Sequence, residues 1–377
     1  MLEERWPSMD LVADSLAQRL SAEHSGAVEA SQIRPRLQRR LSSSETFSGS
    51  RFTADRLIGR MWDYPRLLAR SAVPSCDVFH IVDHSYSHLV RALPASRTIV
   101  TCHDLDTFRS ILEPTTEPRP ALFRAMTRRI LSGFQMAARI ACDSHATRSE
   151  IERHGLVDPT RLVVAPLGVD EKFSPAADEN ADREADALLA SPDVSVPLLL
   201  HVGSTIARKR ILDLLELFAR VRSSIPGARL IRVGGPLTDL QCRTADVLGV
   251  SAAITSLPVL PSSVLAAVYR RASVVLQPSS AEGFGLPMVE AQACGTPVVA
   301  SDLPVLREVG GNACEYFPVG DTSAWVGGVL RLLDERAHNP ERWRNRQLLA
   351  ARHASRFTWS EYTRRMVDVY TDVLATS

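Results

Sequence analysis

Short, unbroken apolar runs alternate with longer amphipathic stretches along this sequence, and that alternation limits the folds open to it. PLLLHVG (197–203), ARLIRVGG (228–235), SVVLQP (273–278) and PVVASD (297–302) are each only a few residues long and rich in aliphatic side chains. A strand with one wet face alternates apolar and polar residues; a continuous run needs both faces covered, as in a parallel sheet layered between helices. DVFHIV (77–82), RTIVTCHD (97–104), ARIACDS (138–144) and LVVAPLGVD (162–170) repeat the pattern earlier in the chain, and a short strand near 254–257 and EYFP (315–318) extend it. Between them, helical periodicity covers 121–140, 210–222, 237–248, 261–271, 287–295, 322–335 and 340–355, and a last amphipathic helix starts at WSEYTRRM. Strands and helices in strict alternation predict an α/β fold built on parallel sheets.

A chain of 377 residues is too long for one ordinary core, so two such units are expected. The acidic, alanine-rich stretch AADENADREADALLASPDVSV (176–196) reads as the linker. The expected domains are 1–180, 181–355 and a closing helical segment 356–377. Two Rossmann-like units in tandem leave a central cleft, and ligands of open parallel sheets sit at the carboxyl ends of the strands. The loops after Gly203, Gly235 and Pro278 would line one wall, and those after Val82 and Cys102 the other. The chain opens on a helical stretch, MLEERWPSMDLVADSLAQRL, with no strand before it, and IRPRLQRRLSSSETFSGSRF (33–52) reads as a mobile loop or a solvated face.

Composition excludes several classes. A net charge of +1 gives no basic face for nucleic acid. The six cysteines are scattered without a CxxC pair or zinc spacing, as expected of reduced thiols in a cytoplasmic protein. No run has the length of a membrane span and no secretory leader opens the chain. Attachment at the inner face of a membrane stays open.

The chemistry concentrates in SSAEGFGLPMVEAQACGTPVVASD (279–302). Pro287 suits a first helical turn and Gly295 suits its end. Gly283 and Gly285 let backbone N–H groups approach a ligand, and the helix start favours an anion such as phosphate. Glu282 and Glu290 stand on either side of that turn, and carboxylates accept well from the paired hydroxyls of sugars. A phosphate position between two diol positions outlines a nucleotide sugar. The loop after PLLLHVG reads STIARKR, placing Arg208 and Lys209 where cations can meet a diphosphate. Of 44 basic residues only Lys172 and Lys209 are lysine, so Lys209 persists against a strong arginine bias.

These stretches carry a resemblance. GSTIARKRILDLLELF and LAAVYRRASVVLQPSSAEGFGLPMVEAQACGTPVVASDLPVLREVGG, with the E-x7-E pattern of Glu282 and Glu290, resemble the nucleotide-binding half of GT-B glycosyltransferases of family 4. HIVDH, TCHDL, DSHATRSEI and APLGVD match the other half more loosely. The resemblance implies two facing Rossmann-like domains and a final helix crossing back to the N-terminal domain. It implies a retaining, metal-independent hexosyl transfer, of the kind found in polysaccharide biosynthesis, from a nucleotide sugar to a glycan or lipid-linked acceptor. No cofactor is needed beyond that donor. By the same resemblance Glu290 accepts from the ribose, Glu282 and His103 lie near the transferred sugar, and Lys209 with Arg208 neutralises the diphosphate. Backbone groups around Phe284, Gly285 and Leu286 meet sugar and phosphate, and Gly203 admits the donor.

Asp104-Leu105-Asp106 forms a D-x-D, read as the tail of the HDL element rather than a metal site. His84 follows a strand and can serve the acceptor side; the arginines of helix 121–140 can meet an anionic membrane or simply face solvent. The family opens with a central strand that this sequence does not show, so a gap beside DVFHIV is expected unless another segment fills it. That departure keeps an inactive nucleotide-sugar-binding protein in play, as does the GT-B fold's use by sugar-nucleotide epimerases. A nicotinamide dehydrogenase is disfavoured, because no strand is followed by a G-x-G-x-x-G.

Overall fold

The structure, a computed structural model, describes residues 7–43, 49–71, 76–190 and 196–376. They form two compact units: Met1–Gly168 with Trp359–Ser377, and Val169–Thr358.

The first unit holds four parallel strands in sequence order, β1 (Phe79–Ile81), β2 (Thr98–Cys102), β3 (Arg139–Cys142) and β4 (Leu162–Val164). Every residue of β2 is buried, as its unbroken apolar run requires. Helix Ala121–Met136 buries Ile130 and Phe134 in the core beneath the strands. Among the described residues β1 pairs with β2 alone, so it is an edge strand.

Helix Trp359–Thr376 belongs to this unit although the chain reaches it from the other. Its tyrosine Tyr370 bonds His80 of β1 at 2.8 Å, and Arg139 of β3 bonds its Asp372 at 2.8 Å. Helix Pro7–Glu23 lies beside it, with Arg19 and Glu23 both bonded to Ser360.

The second unit holds six parallel strands: β5 (Leu198–Val202), β6 (Arg229–Val233), β7 (Ile254–Leu257), β8 (Val274–Gln277), β9 (Val298–Ser301) and β10 (Cys314–Phe317). Their spatial order is β10-β9-β8-β5-β6-β7. The chain builds outward from β5 to β7, then returns to β8 on the other side of β5. The order therefore reverses between β5 and β8, which makes this the switch point at which open parallel sheets bind their ligands. Helices Ile211–Ser224 and Thr322–His338 cover the sheet, burying Leu214, Phe218, Val329 and Leu332.

Two segments differ from their sequence reading. Within the stretch read as a linker, Glu179–Leu188 is a helix packed in the second unit, while 191–195 lie outside the described residues. Asp178 caps it, Ala181 and Ala185 are buried, and Asp182 pairs with Arg270 at 2.7 Å and Arg271 at 2.8 Å. Its acids thus serve a tertiary ion-pair network that no local pattern announces. The arginine- and serine-rich stretch is anchored at residues 40–42: Asp55 is fully buried and accepts from the backbone N–H groups of Arg40, Leu41 and Ser42 and from the Ser42 hydroxyl. Residues 44–48 of that stretch lie outside the described residues.

Candidate functional site

The loops that part between β5 and β8 bring together residues some seventy positions apart. After β5 the chain turns at Gly203, whose φ is +154°, and makes a single helical turn, Ala207–Lys209. After β8 it runs through Ser279 and Glu282 into helix Leu286–Ala293. Lys209 Nζ lies 2.6 Å from Glu282 Oε1, and Arg208 Nη1 lies 3.3 Å from Glu282 Oε2. Ser279 Oγ (2.7 Å) and Gln277 Nε2 (3.0 Å) donate to the same Oε1, and the Ser280 N–H donates to the Arg208 carbonyl at 2.8 Å. Burial alone would raise the Glu282 carboxyl, but Lys209 and Arg208 outweigh it and hold the group below its usual range. Glu282 is therefore an anion pinned by four donors.

Gly203 keeps this arrangement tight. A Cβ there would lie 3.3 Å from the His201 ring and 3.5 Å from Lys209 Cε. Gly234, at φ +124°, is packed more closely still, since a Cβ would stand 2.4 Å from the Gly203 carbonyl oxygen. At the start of helix Leu286–Ala293, Gly285 adopts the left-handed conformation, with φ 96° and ψ 44°, and Pro287 occupies the first turn. Pro287 has no N–H and the Met288 N–H donates to the Gly285 carbonyl at 2.9 Å, so what the helix start offers an anion is chiefly the positive end of its dipole. The Phe284 ring turns inward and meets Phe357 edge to face at 5.6 Å, so what Phe284 can offer a ligand is its backbone. Leu286 is the first residue of the helix and is half-buried.

Glu290 sits apart from this cluster. Its carboxylate is buried and accepts one hydrogen bond, from Tyr269 Oη at 2.9 Å. Burial pushes its pKa up to about 7; the tyrosine hydrogen bond lowers it only in part, and the charge of Asp170 adds to the rise. The two glutamates thus differ in charge state as well as position, one ionised among cations and one poised near neutrality.

His103 lies in the first unit, just past β2. Its Nδ1 meets Asp143 Oδ2 at 2.6 Å and its Nε2 donates to the Val82 carbonyl at 2.7 Å. Burial disfavours its charged form, but Asp143 prevails and raises its pKa. Nearby His84 is 4% exposed, and among the described residues neither ring nitrogen has a hydrogen-bond partner; Asp104 Oδ1 lies 3.7 Å from its Nε2. Of the D-x-D acids, Asp106 bonds Arg109 at 2.7 Å and Asp104 accepts the Asp106 N–H.

The sequence reading gave Tyr269, His201 and Arg232 no role. The last two stand as polar residues inside the apolar runs LLLHVG and LIRVGG, an irregularity that marks them. His201 is 1% exposed, and its pKa falls to about 3 through burial and the charges of Arg232 and Lys209.

The sheet orders and the switch-point charge cluster define the class as GT-B glycosyltransferase fold. WaaG, a glycosyltransferase of lipopolysaccharide biosynthesis, superposes with a TM-score of 0.69 at 14% identity over 96% of each chain. Sucrose-phosphate synthase of Thermosynechococcus elongatus gives 0.68 at 21% identity, over 83% of this chain and 77% of its own. Anabaena HepE in complex with UDP-glucose gives 0.67 at 16% identity, over 84% of each chain. These identities speak to fold alone. Residues 191–348 match the model of glycosyl transferases group 1 and residues 12–173 that of glycosyltransferase family 4. Each match lies within one half of the chain, and together they support a glycosyltransferase of the family 4, group 1 type. D-inositol 3-phosphate glycosyltransferases of Mycobacterium bovis and Mycobacterium tuberculosis are 36% identical over 234 residues, 59% of this chain. The chain spans 46%, about half, of the length of those curated relatives. No helix among the described residues is long and apolar enough to cross a membrane.

Proposed function

We propose that the chain is a retaining, metal-independent glycosyltransferase that moves a hexose from a nucleoside diphosphate sugar to a hydroxyl of a glycan or lipid-linked glycan. The observation that carries this reading is the meeting of Lys209, Arg208 and Glu282 at the β5/β8 switch point, beside the start of helix Leu286–Ala293. The diphosphate gains negative charge as the glycosidic bond breaks. Cations and N–H dipoles already in place stabilise that charge more in the transition state than in the ground state, which is what accelerates a reaction. Glu282 holds Lys209 and Arg208 in position and offers its remaining acceptor capacity to sugar hydroxyls. Glu290 takes the ribose hydroxyls, shedding its proton as it does so. The family's retaining route has the departing phosphate accept the acceptor's proton on the same face of the sugar. His103 serves the transferred sugar.

The acceptor is proposed to come to the first unit, with peripheral membrane contact through helix Ala121–Met136. Its first turns expose Leu122 (71%) and Phe123 (42%) beside Arg124, Arg128 and Arg129. The name of the mycobacterial relatives makes D-inositol 3-phosphate a first acceptor to try.

A thermal-shift screen against UDP-, GDP-, ADP- and dTDP-sugars tests the donor half of the reading. One base class is expected to stabilise the protein, with no dependence on added divalent cation. That donor is then incubated with inositol phosphates, glycans and anionic vesicles carrying lipid-linked glycans, and the product's anomeric configuration is read by NMR. A second reading, donor binding without turnover, draws on His103, whose two ring nitrogens are both committed within the protein. A stabilising donor with no transfer to any acceptor would favour it.

A further inference from the structure

Arg232 is a fully buried arginine with no counter-anion among the described residues. It lies in β6, opposite His201 of β5 and Ser256 of β7. Its side chain is 0% exposed. Nη2 donates to the Gly203 carbonyl at 2.7 Å and Nη1 reaches the Gly235 carbonyl at 3.5 Å. Nε has no acceptor, and among the described residues no carboxylate pairs with it. The contrast with the site's other cations is sharp, because Lys209 and Arg208 both have Glu282. An isolated buried charge is costly, and proteins keep one only where something pairs with it.

The surroundings say what that something is. Through Gly203 the guanidinium touches the turn that leads to Arg208 and Lys209, and through Gly235 it touches the turn after β6. Gly234 packs directly on Gly203, so the two turns form one body. His201 in the same layer is also buried with an unpartnered Nδ1, and it stays neutral. His201 feels the charges of Arg232, Lys209 and Glu282 alike, so this layer and the loop above it carry three cations, Arg208, Lys209 and Arg232, against the one carboxylate of Glu282, which pairs with the first two. The excess suits a doubly charged anion, and a carboxylate or a single phosphodiester would leave part of it unbalanced.

We propose that Arg232 is a positioning residue whose uncompensated charge selects a diphosphate at the β5/β8 switch point, acting through the Gly203 turn without touching the ligand. This rests on the nucleotide-sugar reading above and adds to it a residue one strand away from the binding loops. Because the charge is fixed and shielded from water, it needs no reorganisation when the leaving diphosphate gains charge.

The test is calorimetric titration of the full chain with inorganic pyrophosphate and with UDP, from about 50 to about 300 mM salt, for the wild type, Arg232→Met and Arg232→Lys, each checked for folding by circular dichroism. The expected result is pyrophosphate binding that Arg232→Met weakens by about tenfold or more, with a shallower dependence on salt. Arg232→Lys keeps the charge but cannot span both carbonyls, and it is expected to retain most of the affinity. A folded Arg232→Met with unchanged affinity and salt dependence would overturn the inference while leaving the nucleotide-sugar reading intact, since Arg232 would then only brace the two turns. Should Arg232→Met not fold, Arg232→Lys decides alone: loss of pyrophosphate binding in that folded variant contradicts a role for charge. A wild type that binds neither pyrophosphate nor any nucleoside diphosphate sinks the reading and the inference together.

Discussion

Tyr269 donates its hydroxyl to Glu290 at 2.9 Å in a buried site, and among the described residues that hydrogen bond is the only one the carboxylate accepts. Burial pushes Glu290 up to about 7, so near neutral pH it is partly protonated in the empty protein. Ribose hydroxyls donate to the ionised form and favour it. Donor affinity is therefore expected to rise with pH through about 7. In Glu290→Gln the rise should vanish, and in Tyr269→Phe its midpoint should move upward, because the tyrosine's hydrogen bond favours the carboxylate. Dissociation constants measured from pH 5.5 to 8.5, both about a unit and a half from that midpoint, check all three. A flat wild-type profile would remove Glu290 from the donor site.

The same group affects stability in the empty protein. A folded pKa raised above the ordinary 4.5 of a glutamate stabilises fully below that value and loses the contribution as pH rises through about 7. Glu290→Gln carries no such loss. Relative to wild type it should melt higher at pH 8 than at pH 5, by a few degrees or more on a scale where about 1 kcal/mol moves Tm by about 2–4 °C.

His80 and His201 act in the opposite direction. Burial lowers both to about 3, below the ordinary 6.5 of a histidine. Their contribution is present above 6.5 and is lost as pH falls toward 3, where the unfolded chain takes up protons that the folded one refuses. Each adds a slope of up to about 1.4 kcal/mol per pH unit in that window. Denaturant melts of His201→Gln between pH 4 and 6, roughly the middle of the window, should show a shallower acid slope than wild type.

Gly234→Ala tests the packing of the two turns. Its Cβ would meet the Gly203 carbonyl oxygen at 2.4 Å, and its φ of +124° is unfavourable for any L side chain. The expected cost is about 2–4 kcal/mol, with donor binding weakened beyond what the loss of stability explains. Gly227→Ala is the control, since a Cβ there meets nothing within 4 Å. Equal melting temperatures for the two variants would show that the turns do not depend on each other.

Much of this arrangement was legible in the sequence, for identifiable reasons. The strands were visible because each is a short apolar run with both faces buried, as β8 and β9 show. The start of helix Leu286–Ala293 was visible through Gly285 and Pro287, whose conformational preferences are local. Glu282 and Lys209 were marked by motif and by composition, although they meet across 73 positions. What local reading missed is tertiary. Helix Glu179–Leu188 looked like a linker because its apolar face is two alanines and its acids answer to Arg270 and Arg271. The fixed backbone around Asp55 depends on one buried carboxylate that looks like any other in the sequence. Arg232 drew no notice within ARLIRVGG, and only its burial with no counter-ion among the described residues gives it meaning.

The account's central claim is that Lys209, held by Glu282, grips the diphosphate of a nucleotide sugar. Calorimetric binding of UDP, GDP, ADP and dTDP to the wild type and to Lys209→Met tests it most directly. One nucleoside diphosphate should bind the wild type, and Lys209→Met should weaken it by about a hundredfold, or about 2.7 kcal/mol, as expected for a lost charge-assisted contact in a half-buried site. A folded Lys209→Met that binds the same nucleotide as tightly as the wild type would contradict the claim.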